Sequence, residues 1–156
     1  MRQIIHRREL RADDAFYADE PPASGARRVA PLAEFLAANG GNEPTGDAVL
    51  IGPTDELEPL AVYLPRLTLI VVDFPKLGEG RGFSSARILR QRYHYTGELR
   101  ARGVLKRDQL VFLARCGFDS FQLDPSENLQ AALSAFDTFS VAYQDGAQGI
   151  VQVKRR

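Results

Sequence analysis

The chain has 156 residues, 44% of them hydrophobic and 26% charged, a composition that is ordinary for a globular domain and excludes a disordered chain. Its apolar runs are far shorter than the ~20 residues that a membrane-spanning helix needs, so we expect no membrane association. The formal net charge is zero, and the class of nucleic-acid-binding proteins, which usually carry a basic surplus, is therefore not expected.

The charges are unevenly distributed along the chain. Residues 1–75 hold 7 Lys and Arg against 12 Asp and Glu, residues 76–115 hold 10 against 3, and residues 116–156 hold 3 against 5. The middle part is a basic block, which can attract phosphate, sulfate or an acidic protein surface. The alternative is that its arginines only solvate the outer faces of helices.

The first segment, MRQIIHRREL, has two adjacent apolar residues before it becomes basic again, so it lacks the apolar core of a secretory signal and predicts a cytoplasmic protein. Cys116 is the single cysteine, which excludes an intramolecular disulfide and a metal cluster of cysteines. We expect Cys116 to pack in the core. His6 and His94 have no further ligands at metal-binding spacing, so no metal site is predicted.

Residues 1–47 predict a less regular N-terminal region. Breakers rich in Pro, Gly, Asn and Ser occupy 18–28 and 39–47. Between them, PLAEFLAA begins with proline and has Gly40 just past its end, which predicts one short helix. We expect this region to belong to a single domain over residues 1–156, with 48–144 as its core.

From residue 48 onward strands and helices alternate. Strands are expected to begin near residues 48, 67, 98 and 119, and the strongest, LTLIVVDF, shows no polar alternation, as in central parallel strands. The spacing leaves room for a helix in each crossover, which predicts βαβ units. The segments RQIIH and GIVQV could add a peripheral pair. The predicted fold is a single α/β domain, mostly parallel, with helices on both faces of the sheet; a partial β/α barrel is the alternative.

The segment DFPKLGEGRGFSSARILR joins the strongest strand to a helix that we expect to begin near Ser84. Ligands bind at the carboxyl ends of parallel strands, glycines allow close approach, and a helix N-terminus favours anions. The segment is neither a dinucleotide-binding G-x-G-x-x-G nor a Walker A motif. The alternative is a tight strand-to-helix connection whose serines only cap the helix. The candidate anion-binding residues are Lys76, Gly80, Arg81, Gly82, Ser84, Ser85 and Arg87.

Further candidates lie at the end of the central strand and in the next strand and helix. An acid at a strand end is a common catalytic position, although it often only caps its own loop. In GELRARG, Leu99 and Ala101 face one way and the two arginines face the other. The further candidates are Asp73, Arg100, Arg102, Asp108 and Gln109.

The stretch from FPKLGEGRGFSSAR to RCGFDSFQL resembles a bacterial family of unknown function, DUF934, and the resemblance covers roughly residues 48–144. Its most specific parts are FPK, GRGFS, GELRA, DQL and RCGFD. Members of that family are often described as oxidoreductases of sulfite reduction and are commonly encoded beside the haemoprotein subunit of sulfite reductase, in cysteine-biosynthesis clusters. The resemblance implies a cytoplasmic accessory or partner role in assimilatory sulfate reduction.

Two functions are therefore expected. The first is an accessory protein whose basic GRGFS loop binds a small oxyanion or the sulfite reductase haemoprotein subunit, since arginine pairs with oxyanions in a bidentate way. The second is a small flavin- or NAD(P)-dependent oxidoreductase that feeds electrons to sulfite reductase. The sequence identifies no cofactor and no catalytic constellation, so it leaves open whether the protein is an enzyme.

Overall fold

The computed structural model describes residues 2–41, 45–76 and 80–139. The strands are β1 (Gln3–His6), β2 (Glu9–Ala12), β3 (Ala15–Tyr17), β4 (Arg27–Pro31), β5 (Ala48–Ile51), β6 (Leu69–Phe74), β7 (Glu98–Gly103) and β8 (Ser120–Gln122). The α-helices are α1 (Leu32–Ala38), α2 (Arg81–Arg87), α3 (Leu110–Cys116) and α4 (Leu129–Phe139). A π turn at Ile88–Arg92 extends α2, and 3₁₀ turns lie at Glu58–Arg66 and Arg107–Gln109.

The eight strands form one sheet in the order β2-β1-β8-β7-β6-β5-β4-β3. Strands β3 to β8 are parallel, and each lies beside its neighbour in the chain. The antiparallel hairpin β1–β2 is attached to β8. The strand starts expected near 48, 67, 98 and 119 are confirmed at 48, 69, 98 and 120, and RQIIH forms β1. GIVQV lies outside the described residues.

The helices pack on one face of the sheet, not on both as first expected. Apolar residues of α1, α2, α3, α4 and the first 3₁₀ turn all join a single buried cluster with alternate residues of the strands. The strand order explains this, because right-handed crossovers between successive neighbouring strands place every helix on the same side. The mixed α/β fold is confirmed in the form of the alternative, a curled half-barrel.

A hydrogen bond between β3 and β8 demonstrates how strongly the sheet curls. The Tyr17 hydroxyl on β3 donates to the Gln122 side-chain oxygen on β8 at 2.8 Å. Four strands separate β3 from β8 in the sheet order. In a flat sheet, the five spacings of about 4.8 Å between them would hold these strands about 24 Å apart. The sheet therefore curls so strongly that side chains of β3 and β8 meet across its concave face.

The concave face has its own small core and a polar interior. Its apolar residues come from β3, β4, β5 and β6 and form a second cluster: Ala15, Tyr17, Val29, Ala48, Leu69 and Val71. Because side chains alternate along a strand, Glu98, Arg100 and Arg102 of β7 point to this face while Leu99 and Ala101 join the outer core. The expected division of GELRARG into two faces is confirmed.

The N-terminal region is more regular than its sequence indicates. Residues 3–31 contribute four of the eight strands, and α1 follows at Leu32–Ala38, in the place predicted for a helix. These strands have only three to five residues each, and none buries more than two of them, so their sequences lack a strong strand signal. Their pairing partners are distant in sequence, which explains why local patterns did not reveal them.

Candidate functional site

The segment after β6 begins its helix earlier than the sequence predicts. Gly80 is the N-cap residue and α2 starts at Arg81, so Ser84 lies inside the helix, where its N–H donates to the Gly80 carbonyl at 3.5 Å. No side chain caps this end of α2. The expectation that Ser84 or Ser85 caps the helix is therefore wrong, because both follow its first turn.

Gly82 is explained by packing. It is buried on the first turn of α2, and a Cβ atom at this position would overlap the ring of Phe74, the last residue of β6. At Gly80, by contrast, a Cβ would meet no atom within 4 Å. The second glycine of the GRG motif therefore lets α2 approach the end of β6 closely, and the space it leaves is filled by an aromatic ring.

The cations of the predicted loop lie on the surface. Lys76, Arg81 and Arg87 are exposed, and none of them forms an ion pair with a residue that the structure describes. Arg81 donates one hydrogen bond, from Nη1 to the Pro53 carbonyl in the loop after β5, at 3.3 Å. Arg87 lies beside the Cys116 thiol, whose pKa is raised by burial and only partly lowered by this guanidinium. Cys116 is buried in the core, as expected.

Two phenylalanines lie where α2 and α3 pack together. The rings of Phe83 and Phe112 meet edge to face, with centroids 5.0 Å apart. Phe112 is 46% exposed and, with Val62, is one of two large apolar side chains that are exposed in the described part of the chain. Helical spacing places Arg87 beside Phe83 and Arg115 beside Phe112. We call the residues Phe83, Arg87, Phe112 and Arg115 the α2–α3 surface; Arg81, two positions before Phe83 on the helix, does not share this face and contacts the loop after β5 instead.

Arg100 is buried in the interior, so its charge does not contribute to the basic surface. Its guanidinium is fully buried and lies 3.0 Å from the Asp13 carboxylate and 3.1 Å from that of Glu98. It also donates to the Ser120 hydroxyl at 3.3 Å and to the Tyr17 hydroxyl at 3.4 Å. Burial alone would raise the pKa of Glu98, but Arg100 and a hydrogen bond from Ser120 lower it to about 2.

Arg90 is also buried, on the outer side of the sheet. It donates to the carbonyls of Gly117 at 2.8 Å, Tyr95 at 2.9 Å and Gly97 at 2.8 Å. Its Nη2 lies 3.5 Å from the buried Asp119 carboxylate. The basic block of the sequence is thus divided, because Arg90 and Arg100 stabilise the fold while Arg81 and Arg87 face solvent.

Arg102 differs from Arg100 although the two residues share one face of β7. Its guanidinium lies over the Tyr17 ring, with Cζ 4.0 Å from the ring centroid. It donates no hydrogen bond to any residue in the described ranges; its nearest acids, Asp73 and Asp19, lie 3.8 Å and 4.0 Å away. Burial raises the pKa of Asp73, an effect that Arg102 opposes and Asp19 strengthens. The Arg102 guanidinium is therefore a positive charge at a fixed position, and its N–H groups are free to donate to a ligand.

A cleft of about 330 Å³ opens beside Arg102, at the edge of the sheet where the parallel strands end. This is the edge at which ligands bind in parallel α/β folds and barrels. Apolar groups of Leu123, Pro125 and Leu129 also line it. Its polar lining consists of Arg2, Gln3, Arg102, Gln122, Asp124 and Glu127.

Asp108 and Gln109 do not join the cleft. Asp108 is exposed in the 3₁₀ turn that precedes α3. The Gln109 side-chain oxygen accepts a hydrogen bond from the Lys106 backbone N–H at 2.9 Å and thereby closes the 3₁₀ turn before α3. Of the further candidates, the structure thus brings Asp73 and Arg102 together at the carboxyl edge, and it places Arg100 deeper in the interior.

Sequence reasoning missed Arg2, Tyr17, Gln122 and Glu127, which surround the cleft or support Arg102. Gln122 carries a weak signal, because it alternates with the buried Phe121 and so shares the inner face of β8 with Ser120. Arg2 and Tyr17 lie in the region expected to be less regular and carry no local signal. Curling of the sheet, which brings β3 to β8, is what makes them neighbours of Arg102.

Within residues 2–41, 45–76 and 80–139, no three His, Cys, Asp or Glu side chains converge in a way that could hold a metal ion. None of the helices in the same ranges is long and apolar enough to cross a membrane.

Comparison with known proteins identifies the family. The comparisons with curated proteins and with solved structures gave no match. The model of one family, described as a bacterial protein of unknown function, matches residues 48–152, which is more than half of the chain. That range contains β5 to β8, the α2–α3 surface and most of the cleft lining. The chain therefore belongs to the DUF934 family.

Proposed function

We propose that the protein is an accessory protein of assimilatory sulfite reduction and docks onto an acidic surface of the sulfite reductase haemoprotein subunit through the α2–α3 surface. The partner comes from the family resemblance described above, which associates DUF934 proteins with that subunit. The kind of contact comes from the chemistry of the surface itself.

One observation supports this proposal most directly: an exposed aromatic side chain is flanked by arginines without acidic partners. Phe112 is 46% exposed against Phe83. Arg87 and Arg115 form no ion pair within the described residues. Aromatic and arginine side chains are enriched at binding hot spots, where an apolar anchor is surrounded by polar contacts. Unpaired cations add electrostatic attraction to an acidic partner.

Docking is favoured over the binding of a small oxyanion in the GRGFS loop. The space over Gly82 is filled by the Phe74 ring, and Ser84 and Ser85 lie past the first turn of α2. The described part of the loop thus presents its cations outward and forms no enclosed cradle. The same features give the flavin or NAD(P) alternative no support from this segment, and that alternative stays a prediction.

Binding of the purified protein to the purified haemoprotein subunit, measured by calorimetry at several salt concentrations, tests the proposal. We expect the wild type to bind and its affinity to fall with added salt, because exposed charges are screened. The double variant Arg87→Ala, Arg115→Ala and the single variant Phe112→Ser should each weaken binding by at least about tenfold, the scale of a hot-spot loss. Arg28→Ala, which removes an exposed arginine on β4, is the matched control and should bind normally.

The outcomes separate the alternatives. No binding by the wild type, or equal weakening by Arg28→Ala, would exclude docking through this surface. Thermal unfolding with sulfite, sulfate, FMN, FAD, NAD and NADP completes the test. A nucleotide present at about 100 times its Kd should stabilise the fold by about 2.7 kcal/mol, and such a shift would favour the oxidoreductase.

A further inference from the structure

The cleft at the carboxyl edge carries both signs of charge on separate elements. Arg102 on β7 and Arg2 beside β1 are its cations. Asp124 and Glu127, in the segment that leads to α4, are its anions. Apolar surface of Leu123 lies with them in the lining. A concave site that combines apolar surface with a few convergent polar groups is typical of small-molecule binding.

The cationic side has more free hydrogen-bond donors on Arg102 than on Arg2. Arg2 donates to Asp13 at 2.7 Å, to Glu20 at 2.6 Å and to the Ala15 carbonyl at 3.1 Å. Arg102 is stacked on Tyr17 and makes no hydrogen bond to a described residue. Next to it, Gln122 accepts from Tyr17 through its side-chain oxygen, which leaves the amide N–H groups to donate. Arg102 and Gln122 together suit a carboxylate, which accepts from a guanidinium in a bidentate way.

The anionic side offers carboxylates whose partners leave lone pairs unused. Asp124 accepts from the Ser126 N–H at 2.9 Å and from its hydroxyl at 2.7 Å, and these bonds lower the pKa of Asp124. Glu127 lies 3.6 Å from the Lys106 ammonium group, an ion pair without a hydrogen bond. A carboxylate has about four acceptor sites, so both acids can accept from a further cation.

We propose that this cleft binds a small zwitterion, an α-amino acid or a close analogue. The ligand carboxylate pairs with Arg102 and the Gln122 amide, and the ligand ammonium group pairs with Glu127 and Asp124. The apolar lining contacts its side chain. A ligand of one sign would contact only half of the charged lining, whereas a zwitterion contacts both halves. This site is distinct from the α2–α3 surface and does not depend on the proposed docking.

Nuclear magnetic resonance titration of the full-length protein with L-alanine, L-serine, L-leucine and L-glutamate tests the proposal. We expect at least one of them to bind at millimolar concentration or below and to shift the backbone signals of Arg102, Gln122 and Glu127. The analogue of the best ligand without its ammonium group, such as propionate for L-alanine, should bind at least about tenfold more weakly, because it makes no charged contact with the acids.

Two variants on opposite sides of the cleft are compared with a control. Arg102→Gln and Glu127→Gln should each weaken binding by about tenfold, and Arg28→Gln on β4 should not change it. Because Arg102 stacks on Tyr17, its substitution could change the structure of the cleft. Glu127→Gln does not affect that stack and therefore tests the charge contact alone. The proposal is overturned if none of these amino acids binds, if propionate binds as tightly as L-alanine, or if the shifted signals lie on α2 and α3 instead.

Discussion

Arg100 and Arg102 lie two residues apart on one face of β7, and their guanidinium groups have different surroundings. Arg100 is fully buried between Asp13 and Glu98. Arg102 is 22% exposed and rests on the Tyr17 ring at the cleft. Removing one partner of a buried ion pair costs about 3–5 kcal/mol, because a charge is left uncompensated. Arg100 is therefore a residue of the fold, while Arg102 is positioned to contact a ligand.

The Glu98 carboxylate makes the stability of the protein depend on acid pH. Its pKa is lowered to about 2 in the folded protein, from a usual value of 4.5. Its contribution is fully present above pH 4.5 and is lost as the pH falls toward 2. The difference corresponds to about 3 kcal/mol of unfolding free energy. We expect urea unfolding of the wild type to show this loss between those pH values.

The variant Glu98→Gln provides the control for this pH dependence. Glutamine has no carboxylate to pair with Arg100 and none to protonate. The variant should therefore be less stable than the wild type at pH 7 and lose less stability between pH 4.5 and 2. The two curves should approach each other at the acid end. Parallel curves across the whole range would show that Glu98 does not carry the effect.

At the scale of elements, α2 is positioned by its contact with the end of β6. Phe74 packs against Phe83 and Phe118, with ring centroids 5.4 Å and 5.8 Å apart, and Gly82 lies over its ring. This packing sets where α2 begins and hence where Arg81 and Phe83 appear on the surface. The GRG motif thus connects the core to the proposed docking surface.

Gly82→Ala should destabilise the protein, because the added methyl group overlaps the Phe74 ring. Overpacking of a core typically costs about 1–3 kcal/mol, and the better helix propensity of alanine, about 1 kcal/mol, offsets only part of it. Gly80→Ala is the matched control, since its Cβ would meet no atom within 4 Å. We expect it to change the unfolding free energy by no more than about 0.5 kcal/mol. Equal effects of the two substitutions in urea unfolding would contradict the packing argument.

At the scale of the whole molecule, the N-terminal region completes the half-barrel. It supplies Ala15, Tyr17 and Val29 to the inner core, and Asp13 to the buried Arg100. Without it, Leu69 and Val71 of β6 would face water, and a buried cation would lose a partner. The family match begins at residue 48, yet the part of the chain that it covers depends on residues that precede it.

A chain that lacks residues 1–47 should therefore fail to fold cooperatively. Burying a Val or Leu side chain contributes about 1.5–3 kcal/mol, and several such contacts to β5 and β6 are lost together. We expect thermal unfolding followed by circular dichroism to show no cooperative transition, while the full chain shows one. A cooperative transition in the shortened chain would mean that the family core folds alone.

Local sequence patterns predicted much of the outer half of the fold. The apolar run of β6 and the alternation in GELRARG gave correct strands, and proline and Gly40 bounded α1 correctly. The helix expected after β5 is a 3₁₀ turn instead, with Pro65 inside it, where a proline lacks the N–H of a regular α-helix. These features depend on residues a few positions apart, which is why a sequence reveals them.

By itself the sequence determined the order of the strands from residue 48 onward, the basic block, and the two faces of β7. Only the tertiary structure decided that the helices share one side of the sheet, that Arg90 and Arg100 are buried, and that Arg102 borders a cleft. The bond from Tyr17 to Gln122 joins residues 105 positions apart. Contacts of that range leave no periodicity in the sequence, because they arise from the curl of the whole sheet, and the curl depends on every strand at once.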